Sequence, residues 1–492
     1  MRSQLNTLIT LPVLGFLIGL TGCVQPSPHA GQGILVGEVT ETSALVQVRL
    51  SVSDALENND LEGVEGAVEF VLVNLDNNSE VARTNIKAAG FRDCIARAFF
   101  EELSNGTRYQ VRTRIGKDER SLVEGPTASF KTLPGKDRSE AIQFVVVSGM
   151  DYAKFHGDNS IGRGVHLQLN PTELAEPYSG PDKHLGYPGL ETILELKPDF
   201  FVGTGDTVCY DSPQEPRAET VTDMRQKWHE QFVQPRVREL FAEVPTYWQV
   251  DDQDYRIDDS DNSGDYHPTP GEARRMFLEQ VPVAPSGQRD IKTYRTHRVS
   301  KDLQIWFVEN RMYRSPNAMP DGPDKSIWGK EQKQWLKRTL LESDAVFKLL
   351  ISPTPMIGPD SMQKFDNHTN VKGFRYERDE FFAWLNQTGL SRKNFYIICG
   401  DRQWQYHSIS PDGIEEFSTG ALTDTNSRLG VKPGNPTSTD PEGLINQVFT
   451  QNPHSGGFLL VQISPGSGGN KPTLTFEFRD EQGVKLYTHK KQ

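Results

Sequence analysis

Positive charge is in short supply in this chain. Aspartate and glutamate outnumber lysine and arginine, 66 to 53, leaving a formal net charge of -13. A nucleic-acid partner needs a basic stripe, so no nucleic-acid-binding surface is evident. A small phosphorylated substrate is still allowed, because its site needs only local positive charge or a cation. Cysteine is scarce too: Cys23, Cys94, Cys209 and Cys399, with no close CxxC pair. A disulfide framework is therefore not indicated, and at this length none is needed. The apolar run "TLITLPVLGFLIGL" (residues 7–20) is too short for a comfortable membrane-spanning helix. No internal repeat is visible, which excludes a solenoid.

What is present begins with that apolar run. It follows "MRSQLN" and leads into Leu20-Thr21-Gly22-Cys23, and then into the polar stretch "VQPSPHAGQG". The arrangement resembles a bacterial lipoprotein signal peptide with its lipobox. The resemblance implies a signal over 1–22, lipidation at Cys23, a tether over 23–32, and a protein held on the membrane by an N-terminal lipid anchor. An ordinary secretory signal with a coincidental cysteine is the alternative. Val24, rather than aspartate, after the cysteine fits sorting to the outer membrane or the periplasmic face of the envelope. In an exported chain the remaining three cysteines are an odd number, so at least one is a free thiol or a ligand.

At 492 residues the chain is too long for one ordinary domain. Residues 33–133 read as a small all-β sandwich. "SALVQVRL" places Ala44, Val46, Val48 and Leu50 on one face, "GAVEFVLV" groups Val68, Phe70 and Leu72, and "NGTRYQVRTRI" alternates after a turn signal. "LSNGTRYQVR" resembles the strand-F corner of fibronectin type III domains, with Tyr109 as the corner tyrosine. "KTLPGKDRSE" (131–140) reads as a linker. From 141 to 492 the pattern changes to apolar strands alternating with helical stretches. "IQFVVVS", "DFFVGTG", "PTYWQV", "LQIWFV", "FKLLIS" and "NFYIIC" are apolar almost throughout, as strands buried on both faces are. Helices are expected in "TVTDMRQKWHEQFVQPRVRELF", "KEQKQWLKRTLLES" and "RYERDEFFAWLNQT". The fold class expected is layered α/β behind an all-β front.

Ligands in α/β sheets gather at the carboxyl ends of strands. Asp151 follows "VVV" in "SGMDY", and Asp206 follows "DFFVGTG". "VDDQDY" follows "PTYW", and "GDRQWQYHS" follows "NFYIIC". One aspartate at a strand end is a common turn residue. Several converging on one rim repel each other unless a cation neutralises them. Oxygen-rich donors without thiolates suit hard cations such as calcium, magnesium or manganese.

The order "PDFFVGTGD", "VPTYWQVDDQDY", "THRVSKDLQIWFVENRMYR", "EQKQWLKRTLLESDAVFKLLISPTPM", "NFYIICGDRQWQYHS" resembles the alkaline phosphatase D (PhoD-like) family of calcineurin-like metallophosphoesterases, over about residues 33 to 460. That resemblance implies a four-layer sandwich of two mixed sheets flanked by helices. It implies hydrolysis of phosphate monoesters or diesters by a metal-activated water. It also implies two divalent or trivalent metals, with calcium first among them and iron or another transition metal as the companion. Carried over by motif, Asp206, Asp252, Asp401 and Gln403 are metal residues; Asp151, at the end of its strand, and Tyr210, the aromatic remaining near the first motif, join them as candidates. Arg311 and Arg314 are candidates for gripping phosphate, and His407 for proton transfer. His297 and His368 read as loop hydrogen-bonders.

The chain also departs from the family pattern. Gln253 and Gln403 stand where that pattern has histidines, and Ser148-Gly149 stands where many members have Ser-Cys. A glutamine offers a neutral amide oxygen and no titration. Losing a general acid typically costs about 10²–10⁴-fold in rate. The other expectation is therefore a catalytically impaired relative that binds phosphorylated ligands at the cell envelope. Substrate and oligomeric state are not legible in the sequence.

Overall fold

The computed structural model describes residues 27–157, 177–213, 216–466 and 468–492. Cys23 and the signal stretch lie outside the described residues. Among the described residues no helix is long and apolar enough to cross a membrane.

Two sheets dominate. The first has nine strands in the order Lys485–Lys491, Thr473–Asp480, Gly457–Ser464, Ile142–Val147, Phe200–Gly203, Thr246–Trp248, Ile34–Gly37, Ala44–Arg49, Ile95–Phe100. The second has seven: Arg295–Arg298, Leu303–Phe307, Phe347–Ser352, Phe395–Cys399, Glu415–Thr419, Gln405–Ile409, Asn446–Thr450. Ile142–Val147, Phe200–Gly203 and Thr246–Trp248 are parallel neighbours, as are Leu303–Phe307, Phe347–Ser352 and Phe395–Cys399.

The period-two geometry of a strand explains the continuous apolar runs. Phe144, Val146, Phe200 and Val202 face Ile305, Phe307, Leu349 and Ile351 of the other sheet. Val145, Val147 and Phe201 point the opposite way, onto Leu190, Trp228, Phe241 and Phe277 of the helices Pro188–Leu196, Val221–Phe232, Pro235–Glu243 and Pro270–Gln280. On the far side, Trp306, Leu350 and Ile397 meet Leu336, Leu340, Phe381 and Leu385 of Gly329–Glu342 and Arg375–Gln387. The layers run helix, sheet, sheet, helix. The stretch "TVTDMRQKWHEQFVQPRVRELF", expected as one helical run, is two helices. Thr220 and Asp223 form a capping box on the first, and the second begins at Pro235, which has no N–H to continue a preceding helix.

A four-stranded sheet, ordered Ser79–Ala88, Gly66–Asn74, Arg108–Gly116, Val123–Lys131, packs over Ile34–Gly37, Ala44–Arg49 and Ile95–Phe100. Val46, Val48, Val68, Phe70, Val111 and Phe130 fill the space between. Tyr109 takes the corner position: its hydroxyl accepts the Ser104 N–H at 2.9 Å, and its ring stacks on Phe130. The three-stranded layer is continuous with the large sheet, because Gly37 pairs in parallel with Thr246.

The opposite face of that layer is tied to the end of Pro270–Gln280. Arg97, buried, donates to the carbonyls of Leu278, Glu279, Val281 and Ala284 at 2.7–3.0 Å and to Gln47 Oε1. Gln47 Nε2 in turn donates to Gln280 O at 2.6 Å. The last carbonyls of a helix have no internal donors, and a cation there also meets the negative end of the dipole. Replacing Arg97 by alanine strands these carbonyls in a dry interface. Arg97→Ala is expected to lower unfolding stability by about 3 kcal/mol, measured by urea denaturation.

Candidate metal centre

The centre is assembled by close approach of strand-end loops. After Phe200–Gly203 the chain passes through Gly205 (φ 106°) into Asp206 (φ 53°). A Cβ on Gly205 would stand 2.5 Å from the backbone N and the Cβ of Asp251. Only glycine lets these two loops close on each other. Gly400 is under the same constraint, since a Cβ there would lie 2.4 Å from Thr204 Oγ1 and 2.8 Å from Ser148 Oγ. The result is that Asp401, from the seven-stranded sheet, meets Asp206, Asp251 and Asp252 from the nine-stranded one. All four are buried, and one carboxylate oxygen from each lies within 4.8 Å of the others.

Four carboxylates so placed are costly. Burial, followed by the charges of its neighbours Asp252 and Asp251, pushes the Asp206 carboxyl well above its usual range. Burial does the same to Asp251, although Arg311 opposes it. Two buried guanidiniums offset part of the charge. Arg311 Nε donates to Asp251 Oδ1 at 2.6 Å, and its Nη2 lies 3.6 Å from Asp252 Oδ2 and 3.0 Å from Asp366 Oδ2. Arg402 bridges Asp401 and Asp360. Asp254 acts on the backbone instead. Its two oxygens accept the N–H groups of Asp251 (2.7 Å) and Thr207 (3.0 Å), holding both loops in place, and burial pushes its carboxyl up to about 7.

Asp206 Oδ1 and Asp251 Oδ2 are buried and accept no hydrogen bond. Unsatisfied, convergent, all-oxygen donors with excess negative charge are what a hard dication or trication requires. The residues present therefore fit a metal.

Of the residues expected in the centre, Asp206, Asp252 and Asp401 come together. Asp151 does not join them. It caps the helix Tyr152–His156, and its Oδ1 accepts Lys154 N at 2.9 Å and Ser212 Oγ at 3.1 Å. Tyr210 is turned into the apolar core, where its hydroxyl accepts the Trp228 Nε1–H at 2.8 Å, so it is not a metal ligand. Gln403 is half-buried two residues beyond Asp401, and its backbone carbonyl accepts Arg428 N at 3.1 Å.

The expectation that the two arginines grip phosphate is corrected as well. Arg311 is fully enclosed and serves the aspartates. Arg314 spends its donors on Asn310 O, Asn317 Oδ1 and Asp366 O. His407 lies on the strand Gln405–Ile409, bonded to Glu415 and Tyr487 and stacked on Phe417, so its ring serves a different cluster. His297 and His368 pair with Glu38 and Glu377.

Asp251 and Arg402 stand in the strand-end stretches "VDDQDY" and "GDRQ" that the sequence singles out, but they were not assigned to the site. Lys364 was missed. Lys364 Nζ sits 2.7 Å from Asp259 Oδ1 and 3.1 Å from Asp258 Oδ1, and the latter two aspartates form a second acidic group with Asp252. Nothing local in "MQKFDNH" connects that lysine to residues more than a hundred positions earlier.

A carboxyl whose folded-state pKa is raised holds a proton that the unfolded chain has already released. Its contribution to stability therefore declines as pH rises from the ordinary carboxylate range through the folded value. Asp206→Asn removes that penalty. In the metal-free state the variant is expected to melt above the parent at pH 8, with the gap closing toward pH 4. A rise in melting temperature with calcium is expected in the parent and not in the variant, as calorimetry would show.

The profile of the PhoD-like phosphatases matches residues 178–460, more than half of the chain. Among solved structures, one of PhoD superposes with a TM-score of 0.69 at 15% identity, covering 94% of this chain and 90% of the other. The purple acid phosphatase PPD1 from seeds of yellow lupin (Lupinus luteus) superposes with a TM-score of 0.58 at 13% identity, covering 94% and 73%. At such identities the likeness speaks for the fold. No curated protein matches the chain by sequence. The fold is that of the metal-dependent phosphoesterases, and by its profile match the chain belongs to the PhoD-like phosphatase family.

Proposed function

We propose that the protein is an exported, envelope-anchored phosphoesterase that hydrolyses phosphate esters at the Asp206–Asp251–Asp252–Asp401 centre. The observation that carries this reading is the meeting of four buried carboxylates at one sheet rim, two of them, Asp206 and Asp251, with an unpaired oxygen. These residues would hold the cations, calcium being the best match to an all-oxygen set, with a transition metal as the companion. Bound there, such ions polarise a phosphoryl oxygen and lower the pKa of water.

The chain's own residues supply the rest. Arg311 and Arg402 hold Asp251 and Asp401 in position and limit the mutual repulsion. Asp254 fixes the two loops through backbone N–H groups. Lys364, on Asp258 and Asp259, and Lys154, on Asn426 Oδ1 at 2.9 Å, are part-buried cations of the type that binds a phosphate as a point charge.

The glutamines shape the chemistry. Gln253 Oε1 accepts the Cys209 thiol at 2.9 Å, and burial raises that thiol well above its usual pKa, so it stays a donor. The bond joins the loops after Phe200–Gly203 and Thr246–Trp248. Among the described residues, no imidazole is grouped with the four aspartates. Protonation of the leaving oxygen is then left to solvent or to a carboxyl. This favours esters whose alcohols leave readily, so aryl phosphates are expected to turn over far faster than alkyl phosphates.

The second reading, an impaired relative that binds phosphorylated ligands, draws on the same missing imidazoles. The test is metal analysis of the purified protein together with turnover of p-nitrophenyl phosphate and bis-p-nitrophenyl phosphate. We expect bound metal, measurable hydrolysis, and a loss of about a hundredfold or more in Asp252→Asn. Metal without turnover in the parent, with a large gain in the Gln253→His/Gln403→His double variant, would establish the impaired reading instead. Anchoring has its own check: Cys23→Ser is expected to move the protein from the membrane fraction to the soluble one.

A further inference from the structure

A second cluster of ligating side chains lies outside the carboxylate centre, where the two large sheets meet near the chain's end. His407 sits on Gln405–Ile409, Glu415 opens Glu415–Thr419, and His489 sits on Lys485–Lys491, the edge strand of the nine-stranded sheet. His407 Nε2 is 3.0 Å and His489 Nε2 is 3.2 Å from the same atom, Glu415 Oε2. The ligating atoms of all three lie within 4.8 Å of one another. On the other side of the rings, the Tyr487 hydroxyl lies 3.1 Å from His407 Nδ1 and 3.4 Å from His489 Nδ1. Lys491 Nζ holds the remaining oxygen, Glu415 Oε1, at 2.5 Å.

Hydrogen bonds between neutral rings do not satisfy this arrangement. If both imidazoles carry their proton on Nε2, both Nδ1 atoms are acceptors, and Tyr487 has one proton to give them. If one ring carries its proton on Nδ1, its Nε2 lone pair faces a carboxylate oxygen. His489 Nε2 is enclosed, and its approach to Glu415 Oε2 at 3.2 Å is an ion-pair contact without good hydrogen-bond geometry. A cation between the two Nε2 atoms and Glu415 removes the conflict. Both rings then carry their proton on Nδ1, and the two lone pairs of the Tyr487 hydroxyl accept both. That is the usual disposition of a metal-bound histidine, oriented by an acceptor on its far nitrogen.

We propose that His407, Glu415 and His489 form a transition-metal site of the zinc class, with water completing the coordination. Its role is structural. Lys485–Lys491 pairs with Thr473–Asp480 on one side only and alternates between exposed and half-exposed residues. A metal shared with His407 and Glu415 would fasten this edge to the facing sheet. Two nitrogens and one oxygen select a borderline dication over calcium, so this site and the carboxylate centre prefer different ions.

The test uses the full chain carrying Asp206→Asn and Asp252→Asn, which silences the carboxylate centre. Cobalt(II) is titrated as a spectroscopic probe, and zinc by calorimetry. We expect one equivalent bound, a visible ligand-field absorption of low-symmetry cobalt, a higher melting temperature with zinc, and no response to calcium. His489→Ala, a part-exposed edge position, should abolish the absorption and the zinc-dependent rise while leaving a folded protein. Tyr487→Phe should weaken zinc binding about 10–100-fold. Absence of the absorption, its survival in either His489→Ala or His407→Gln, or a melting temperature that responds to pH but not to zinc would overturn the proposal. The last result would mark the cluster as a protonated histidine pair.

Discussion

Negative charge gathered out of water is the constraint around which this molecule is organised. Asp206, Asp251, Asp252 and Asp401 converge at one rim, each buried and each raising the free energy of its neighbours. In a low-dielectric interior such an arrangement persists only if opposite charge is supplied. Part of it is built in. Arg311 and Arg402 lie fully buried against the cluster and carry their own outer carboxylates, Asp366 and Asp360. The unpaired oxygens of Asp206 and Asp251 mark the part that an ion would supply.

The scaffold holds these loops at contact distance. The carboxyl ends of parallel strands from two facing sheets open on the same rim, where Gly205 lets backbone touch backbone and Gly400 lets its loop pass against the Thr204 and Ser148 hydroxyls. Both sheets are covered on their outer sides by helices and on their inner sides by each other, so the strands that carry the loops are held on every face. The front sandwich is fastened to the same frame, by strand pairing at Gly37 and Thr246 and by Arg97 at a helix end. The rear edge, where His407, Glu415 and His489 face one another, lacks such a frame. Side chains there join the last strand to the opposite sheet.

Among the described residues, no histidine is grouped with the four aspartates of this centre. With Gln253 tied to Cys209, the position contributes loop closure and not a titrating group. The centre is an all-carboxylate one among the described residues, a donor set of the kind that suits hard ions.

Much of this was legible in the chain itself. Continuous apolar runs marked the strands that carry the site loops, because burial on two faces leaves no room for polar residues, whereas the helices Pro188–Leu196 and Pro270–Gln280 and the strand Lys485–Lys491 were not among the elements expected. Aspartates following apolar strands singled out Asp206, Asp252 and Asp401, which do meet at one rim, since parallel strands in a sheet share one carboxyl end. What the tertiary structure alone decided were the directions and partners of side chains. Tyr210 turns to Trp228, Asp151 caps a helix, Arg311 serves aspartates instead of substrate, and His407 joins Glu415 and His489. Each of these depends on residues far apart in sequence meeting in a packed interior. A one-dimensional pattern records which face a residue is on, but not which atom it will find there.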